Sequence, residues 1–191
     1  ANYTPDSILF TAGGFTLSGN DLTINNGIDN KAGTNAVDTN IKLGNNQQFS
    51  ADAGTALNIG GTVALNGKNL TVAGDGTMEI SGAISGTGLL AKSGSGTLTL
   101  SGSNSYIGST AVASGTLVYG NADALPGGSN VTVSGGVLDV GGYDAVLGLV
   151  VLSSGAISGN GSISSGSGFT VEAGLMDISL SGAGGLTKTG N

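Results

Sequence analysis

Cysteine, histidine, tryptophan and arginine are all missing from this sequence of 191 residues. Without cysteine and histidine there is no thiolate nucleophile, no histidine-based triad and no zinc site of the usual ligand type. Without arginine there is no bidentate clamp for phosphate or carboxylate. Positive charge is scarce: 5 lysines face 12 acids, and the net charge of −7 is the reverse of the basic stripe that a nucleic-acid binder needs. No apolar run approaches the roughly 18 residues of a membrane helix, so no membrane span is expected within this segment. There is no basic stretch leading into an apolar one, so a secretion signal is expected to have been removed or to lie upstream. The lack of cysteine suits either redox compartment, and also export of a loose chain through a narrow pore, which disulfides would obstruct.

Glycine, by contrast, occurs 38 times and proline only twice. That ratio alone would fit a flexible chain, but hydrophobic residues reach 38% and charged ones only 9%. Disordered segments are poor in β-branched residues and rich in charge or proline, so the composition favours order. The glycines also lack the every-third spacing of collagen.

The recurring unit is apolar–polar–apolar followed by a glycine-containing turn. It occurs at Phe15-Thr16-Leu17, Leu22-Thr23-Ile24, Ile41-Lys42-Leu43, Leu57-Asn58-Ile59, Leu70-Thr71-Val72, Met78-Glu79-Ile80 and Leu98-Thr99-Leu100. It returns at Leu117-Val118-Tyr119, Val131-Thr132-Val133, Leu138-Asp139-Val140, Phe169-Thr170-Val171 and Met176-Asp177-Ile178. A period of two puts the flanking residues on one face of a strand and the middle one on the other. The runs are too short for ordinary hairpins, and no amphipathic helical pattern is visible. Short strands, frequent turns and no helices predict an all-β parallel β-helix with three strands per coil and glycine at the φ > 0 corners. At roughly 20–25 residues per coil the chain makes about eight or nine coils, a rod of roughly 40 Å.

A longer repeat lies over this one. Gly86-Thr87-Gly88-Leu89-Leu90-Ala91-Lys92-Ser93-Gly94 returns as Gly182-Ala183-Gly184-Gly185-Leu186-Thr187-Lys188-Thr189-Gly190, with the lysines 96 residues apart (188 − 92). Met78-Glu79-Ile80-Ser81 returns as Met176-Asp177-Ile178-Ser179, displaced by 98 (176 − 78). Self-similarity at fixed spacing is a solenoid signature. Residues 1–191 read as a single β-helix segment, expected to be a piece of a longer chain, and 182–191 as the start of a second copy.

The first copy continues as Ser95-Gly96-Thr97-Leu98-Thr99-Leu100-Ser101-Gly102, Ser103-Asn104-Ser105-Tyr106-Ile107-Gly108-Ser109-Thr110 and Ala111-Val112-Ala113-Ser114-Gly115-Thr116-Leu117. Residues 86–117 closely resemble the autotransporter-associated β-strand repeat, roughly GxGGLxKxGxGTLxLxGxNxYxGxTxVxxGTL. Leu89 replaces one glycine of the pair, and Ser109 another frequent glycine. The resemblance implies a right-handed parallel β-helix in a passenger domain exported through a bacterial outer membrane to the cell surface or medium. It carries no catalytic residues to transfer.

Three acid groupings are candidate chemistry: Asp75 with Glu79, Asp139 with Asp144, and Glu172 with Asp177. A glycosidase needs two carboxylates about 5–10 Å apart in different environments. Without histidine or arginine around them, the acids read as a solvated face. Gly74-Asp75-Gly76 is too short for a calcium loop. The glycine strings lead into strands and not into the helix that a phosphate loop requires. Thr16, Thr23, Thr71, Thr99, Thr132 and Thr170 share the outward mid-strand position and would form an ice-binding type of ladder if they lay on one sheet, but Thr-x-Thr occurs only at Thr97-x-Thr99 and Thr187-x-Thr189, so ordinary β-propensity accounts for them better. Tyr106, Tyr119 and Tyr143 read as corner or core-edge residues. No catalytic, cofactor or metal site is expected. The expected function is a non-enzymatic structural stalk or adhesin-type display surface, with a host or neighbouring-cell ligand. The alternative is a matrix or filament subunit that self-associates through unpaired solenoid ends.

Overall fold

The structure, a computed structural model, describes residues 4–190. Among the described residues every element is a β-strand, wound into a parallel solenoid of about 9 turns. One coil contains the strands Ile28–Asn30, Thr34–Val37 and Ile41–Leu43, and another contains Leu70–Gly74, Thr77–Ile80 and Ile84–Ser85. Each strand pairs in parallel with its counterpart in the next coil, so three walls run along the rod. A coil takes between 17 and 23 residues, from Val171 to Lys188 at the short end and from Phe49 to Val72 at the long end. The later coils thus fall below the length predicted from sequence, because their corners are shorter.

The core is a set of columns. On the first wall Ile8, Ile28, Phe49, Val72, Lys92, Val112, Val133, Leu152, Val171 and Lys188 stack in register. On the second, Leu57, Met78, Leu98, Leu117, Leu138, Ile157 and Met176 do so. Leu57, Leu98, Leu117, Leu138 and Ile157 are fully buried, each contributing about 1.5–3 kcal/mol relative to an exposed side chain. No coil covers its own apolar row; each is covered by its neighbours. Lys92 with Lys188, and Met78 with Met176, share columns five coils apart, so the long sequence repeat is a five-coil period.

The alternation rule holds for most of the predicted trios: Leu22 and Ile24, Ile41 and Leu43, or Met78 and Ile80 are buried around an outward middle residue. Phe15 departs from it. It lies outside the two-residue strand Thr16–Leu17 and is 57% exposed.

Glycine's freedom is used most plainly at Gly94. Its φ is +73°, and a Cβ there would lie 2.4 Å from the carbonyl oxygen of Gly74 in the coil below. Both the hand of the turn and the distance between walls exclude a side chain.

The third wall is interrupted. Strands run at Leu22–Ile24, Ile41–Leu43, Val63–Ala64 and Ile84–Ser85, then resume at Asp144–Leu147. Buried Asn104 bridges the break. Its Oδ1 accepts from the Ile84 backbone N–H (2.7 Å), its Nδ2 donates to the Ala124 carbonyl (2.7 Å), and its own N–H donates to the Asp123 carbonyl (3.0 Å). One side chain thus replaces ladder bonds across three coils.

Candidate functional site

The outward column of the second wall reads Thr16, Ala36, Asn58, Glu79, Thr99, Val118, Asp139, Ser158, Asp177. Three candidate acids therefore share one line, but Glu79 and Asp139 are three strand steps apart, about 14 Å. Asp139 and Asp177 are two steps apart, about 10 Å, with Ser158 between them. Neither spacing makes the close pair a retaining glycosidase needs. Among the described residues no three acids gather as a metal site would require.

Most acids instead bind the next coil. Asp75 accepts from the Ser95 hydroxyl (2.6 Å) and backbone N–H (3.1 Å), which hold its carboxyl below the usual range. Glu79 accepts from the Ser101 hydroxyl (2.8 Å), Asp144 from Ser162 (2.7 Å), Asp21 from the Asn40 amide (2.9 Å), and Asp29 from the Ser50 hydroxyl. Lys31 and Asp52 form an exposed ion pair at 3.1 Å. Asp139 accepts from the Gly141 N–H (2.8 Å) within its own turn. Glu172 is exposed at a corner. The sequence signal for these inter-coil ties is an acid followed by serine or asparagine about one coil later. That pattern is visible only once the coil length is known.

The threonines do not make one ladder. Thr71, Thr132 and Thr170 lie on the first wall, separated by Ala91, Ala111 and Val151; Thr16 and Thr99 lie on the second wall and Thr23 on the third. Coils of unequal length and three-wall geometry scatter residues that look equivalent in a linear reading.

Of the three tyrosines expected at corners or core edges, two lie within the core. Tyr106 and Tyr119 are 2% and 3% exposed. The Tyr106 hydroxyl bonds the Thr110 hydroxyl at 2.6 Å, whereas the buried Tyr119 hydroxyl has no partner. Burial pushes both phenols well above their ordinary pKa. Tyr143 does lie at an exposed corner, its hydroxyl donating to the Gly120 carbonyl (3.0 Å).

A cleft of about 410 Å³ lies beside the break in the third wall, between Tyr106–Ser109 and Pro126–Asn130. Exposed Ile107 is on its lip, and it contains no charged side chain. The most unusual buried group lies elsewhere. Lys92 is 1% exposed in a column whose other members from Ile8 to Val171 are apolar, and its ammonium donates to the carbonyls of Ser93 (2.7 Å) and Gly94 (2.9 Å). Burial lowers its pKa, and the Asp75 carboxylate opposes that shift. Sequence reading had noted Lys92 as a motif residue without foreseeing that it points inward.

Stacked parallel coils tied by their own acids define a repeat architecture whose walls are built from local, coil-to-coil contacts. The passenger-associated-transport-repeat family matches residues 90–118, the segment that contains Lys92 and its surrounding corner. Over 194 aligned positions and 98% of this chain, the sequence is 36% identical to the adhesin BmaC autotransporter of Brucella suis biovar 1 (strain 1330). The chain spans 5% of the length of that adhesin. No solved structure matches the chain. The chain belongs to the autotransporter passenger repeat proteins.

Proposed function

We propose that residues 1–191 form one non-catalytic segment of a longer passenger, exported through the outer membrane and displayed at the cell surface. Its stacked walls extend or present an adhesive surface. The similarity to an autotransporter adhesin across 98% of the chain carries this reading, and the solenoid, whose acids are largely engaged with neighbouring coils, is consistent with it. Residues 86–117 are one structural module, and 182–191 are the start of a second copy of it, Asn191 lying outside the described residues. A direct test raises antibody against the purified segment and probes intact cells expressing the parent reading frame, before and after protease treatment. Surface labelling that protease removes supports the proposal, as does binding of segment-coated beads to a cell monolayer. Labelling only after the cells are broken open refutes surface display, and beads that bind no better than uncoated ones refute adhesion by this segment.

A further inference from the structure

From Phe49 onward the corner between the first and second walls shortens along the rod. From the first-wall column to the opening residue of the second-wall strand the chain takes five positions at Val72 to Thr77 and at Lys92 to Thr97. It takes four at Val112 to Thr116, Val133 to Val137 and Leu152 to Ala156. Lys92 stands on the last five-position corner, directly beneath the first four-position one.

The hydrogen bonds show what that change removes. Where longer corners stack, the carbonyl at this turn receives a backbone donor from the coil above: Gly76 N–H to Ala51 O (2.9 Å), then Gly96 N–H to Gly74 O (3.0 Å). The shorter corner above Gly94 brings no backbone N–H to the Gly94 carbonyl. That carbonyl receives the Lys92 ammonium (2.9 Å) and the Ser114 hydroxyl (3.3 Å) instead. The ammonium also takes Ser93 O (2.7 Å) and reaches up to Ser114 O at 3.5 Å. Space for it is left by Gly115, where a Cβ would lie 2.7 Å from Nζ. On either side the ladder is unbroken, Ala113 N–H bonding Lys92 O (2.9 Å) and Thr116 N–H bonding Gly96 O (3.1 Å).

We propose that the Lys92 ammonium is the register-setting group of this step. It replaces the backbone donor that is lost when the corner drops one residue, and so joins a five-position coil to a four-position coil without a break in the wall. Where corners of equal length stack, the same column is apolar: Val72 below, and Val112, Val133 and Leu152 above. An independent change of corner length carries a similar signature. The six-position corner from Ile28 to Thr34 lies under the seven-position corner from Phe49 to Ala56. There a fully buried side chain, Asn30, donates to Gly33 O (3.1 Å) and Ala56 O (2.8 Å). At both of these changes of corner length a buried polar side chain meets the corner carbonyl, whereas at the change from the seven-position corner at Phe49 to the five-position corner at Val72 a backbone donor, Gly76 N–H to Ala51 O, is kept.

The test is a double-mutant cycle on the whole chain, combining Lys92→Met, which keeps the side chain's reach, with a glycine inserted between Ser114 and Gly115 to restore a five-position corner. In the native-length chain, Lys92→Met leaves the half-buried Ser93 carbonyl without the ammonium and the Gly94 carbonyl with only the Ser114 hydroxyl, and is expected to lower the folding equilibrium constant roughly 10- to 100-fold. In the insertion background the same substitution is expected to change it less than about threefold, because a backbone N–H again reaches Gly94 O. Equal effects in both backgrounds, or no effect in the native-length chain, overturn the proposal. If the insertion prevents folding, amide hydrogen exchange of Lys92→Met decides alone. Protection is expected to fall at Ala113 and Thr116 while Thr77 and Gly96 keep theirs, and uniform loss or no loss overturns it.

Discussion

Gly94 and Gly54 have nearly the same backbone conformation, φ +73° and +77°, in different surroundings. A Cβ at Gly54 meets nothing within 4 Å, whereas at Gly94 it would lie 2.4 Å from Gly74 O and 2.6 Å from Gly74 N. Alanine at either position incurs the left-handed penalty of about 1–2 kcal/mol, partly offset by a stiffer unfolded chain. Gly54→Ala is therefore expected to lose about 1 kcal/mol. At Gly94 the coils must also separate by about 1 Å for the methyl to fit. That movement stretches Ser93 N–H to Val72 O (2.8 Å) and Gly96 N–H to Gly74 O (3.0 Å), adding about 2–4 kcal/mol. Urea unfolding followed by far-ultraviolet circular dichroism gives the comparison, provided the slopes stay equal. Gly74→Ala, whose Cβ would lie 2.1 Å from Ala51 O, is expected to behave like Gly94→Ala and guards against an effect peculiar to the Lys92 corner. Equal losses at Gly54 and Gly94, within about 0.5 kcal/mol, would show that φ alone accounts for these glycines and that the wall spacing is not rigid.

The two buried tyrosines are expected to respond to phenylalanine with opposite signs. Tyr119→Phe removes an unpartnered buried hydroxyl and raises stability by about 1 kcal/mol, while Tyr106→Phe strands the Thr110 hydroxyl and lowers it by about 1–2 kcal/mol; chemical denaturation reads both. Because burial raises both phenol pKa values, the unfolded chain releases these protons first, so stability is full below pH 10 and falls as pH rises beyond it, by up to about 1.4 kcal/mol per unit for each tyrosine. The lowered pKa of Lys92 acts the other way, adding stability as pH rises from its folded value towards the ordinary 10.5, but two tyrosines outweigh one lysine and the net fall emerges at about pH 10. The double phenylalanine variant should lose the alkaline fall in a pH series of unfolding midpoints. Asn104→Leu deprives the Ile84 N–H and the Ala124 carbonyl of their partner and is expected to cost about 2–4 kcal/mol, with hydrogen exchange accelerated first at Ile84.

The strand trios and glycine corners were legible because each depends on a few neighbouring residues: alternation decides which way Met78, Glu79 and Ile80 point whatever stacks on them. What escaped sequence reading depends on which residue lies one coil away. The pairing of Asp75 with Ser95, or of Glu79 with Ser101, requires the exact length of that coil, and lengths vary from 17 to 23 residues. The same uncertainty left open whether six threonines share one sheet; they occupy three walls. Tyr106 and Tyr119 were misplaced for a different reason. A phenol is expected near water, but Tyr119 stacks in register on Leu100 and Tyr106 turns inward to the Thr110 hydroxyl of its own coil, so the apolar body of each tyrosine outweighs its hydroxyl. Lys92 was legible only as a repeated motif residue; its inward direction depends on the corner of the coil above it.

The absence of arginine, which at first only ruled out chemistry, fits the corner that Lys92 occupies. The acceptors there are Ser93 O and Gly94 O from the lysine's own coil and Ser114 O from the next, grouped around one point. An ammonium directs three donors from one compact centre and matches such a group; a planar guanidinium spreads five donors across a fork suited to paired oxygens. Gly115 lies so close that even a methyl would touch Nζ, which leaves no depth for the wider head. Elsewhere the outward acids are matched to serine hydroxyls and asparagine amides one coil away, contacts that require neither the reach nor the charge of arginine. Wall contacts here are short, local and repeated at the strand spacing, so small neutral donors and one compact cation meet the requirements of the stack.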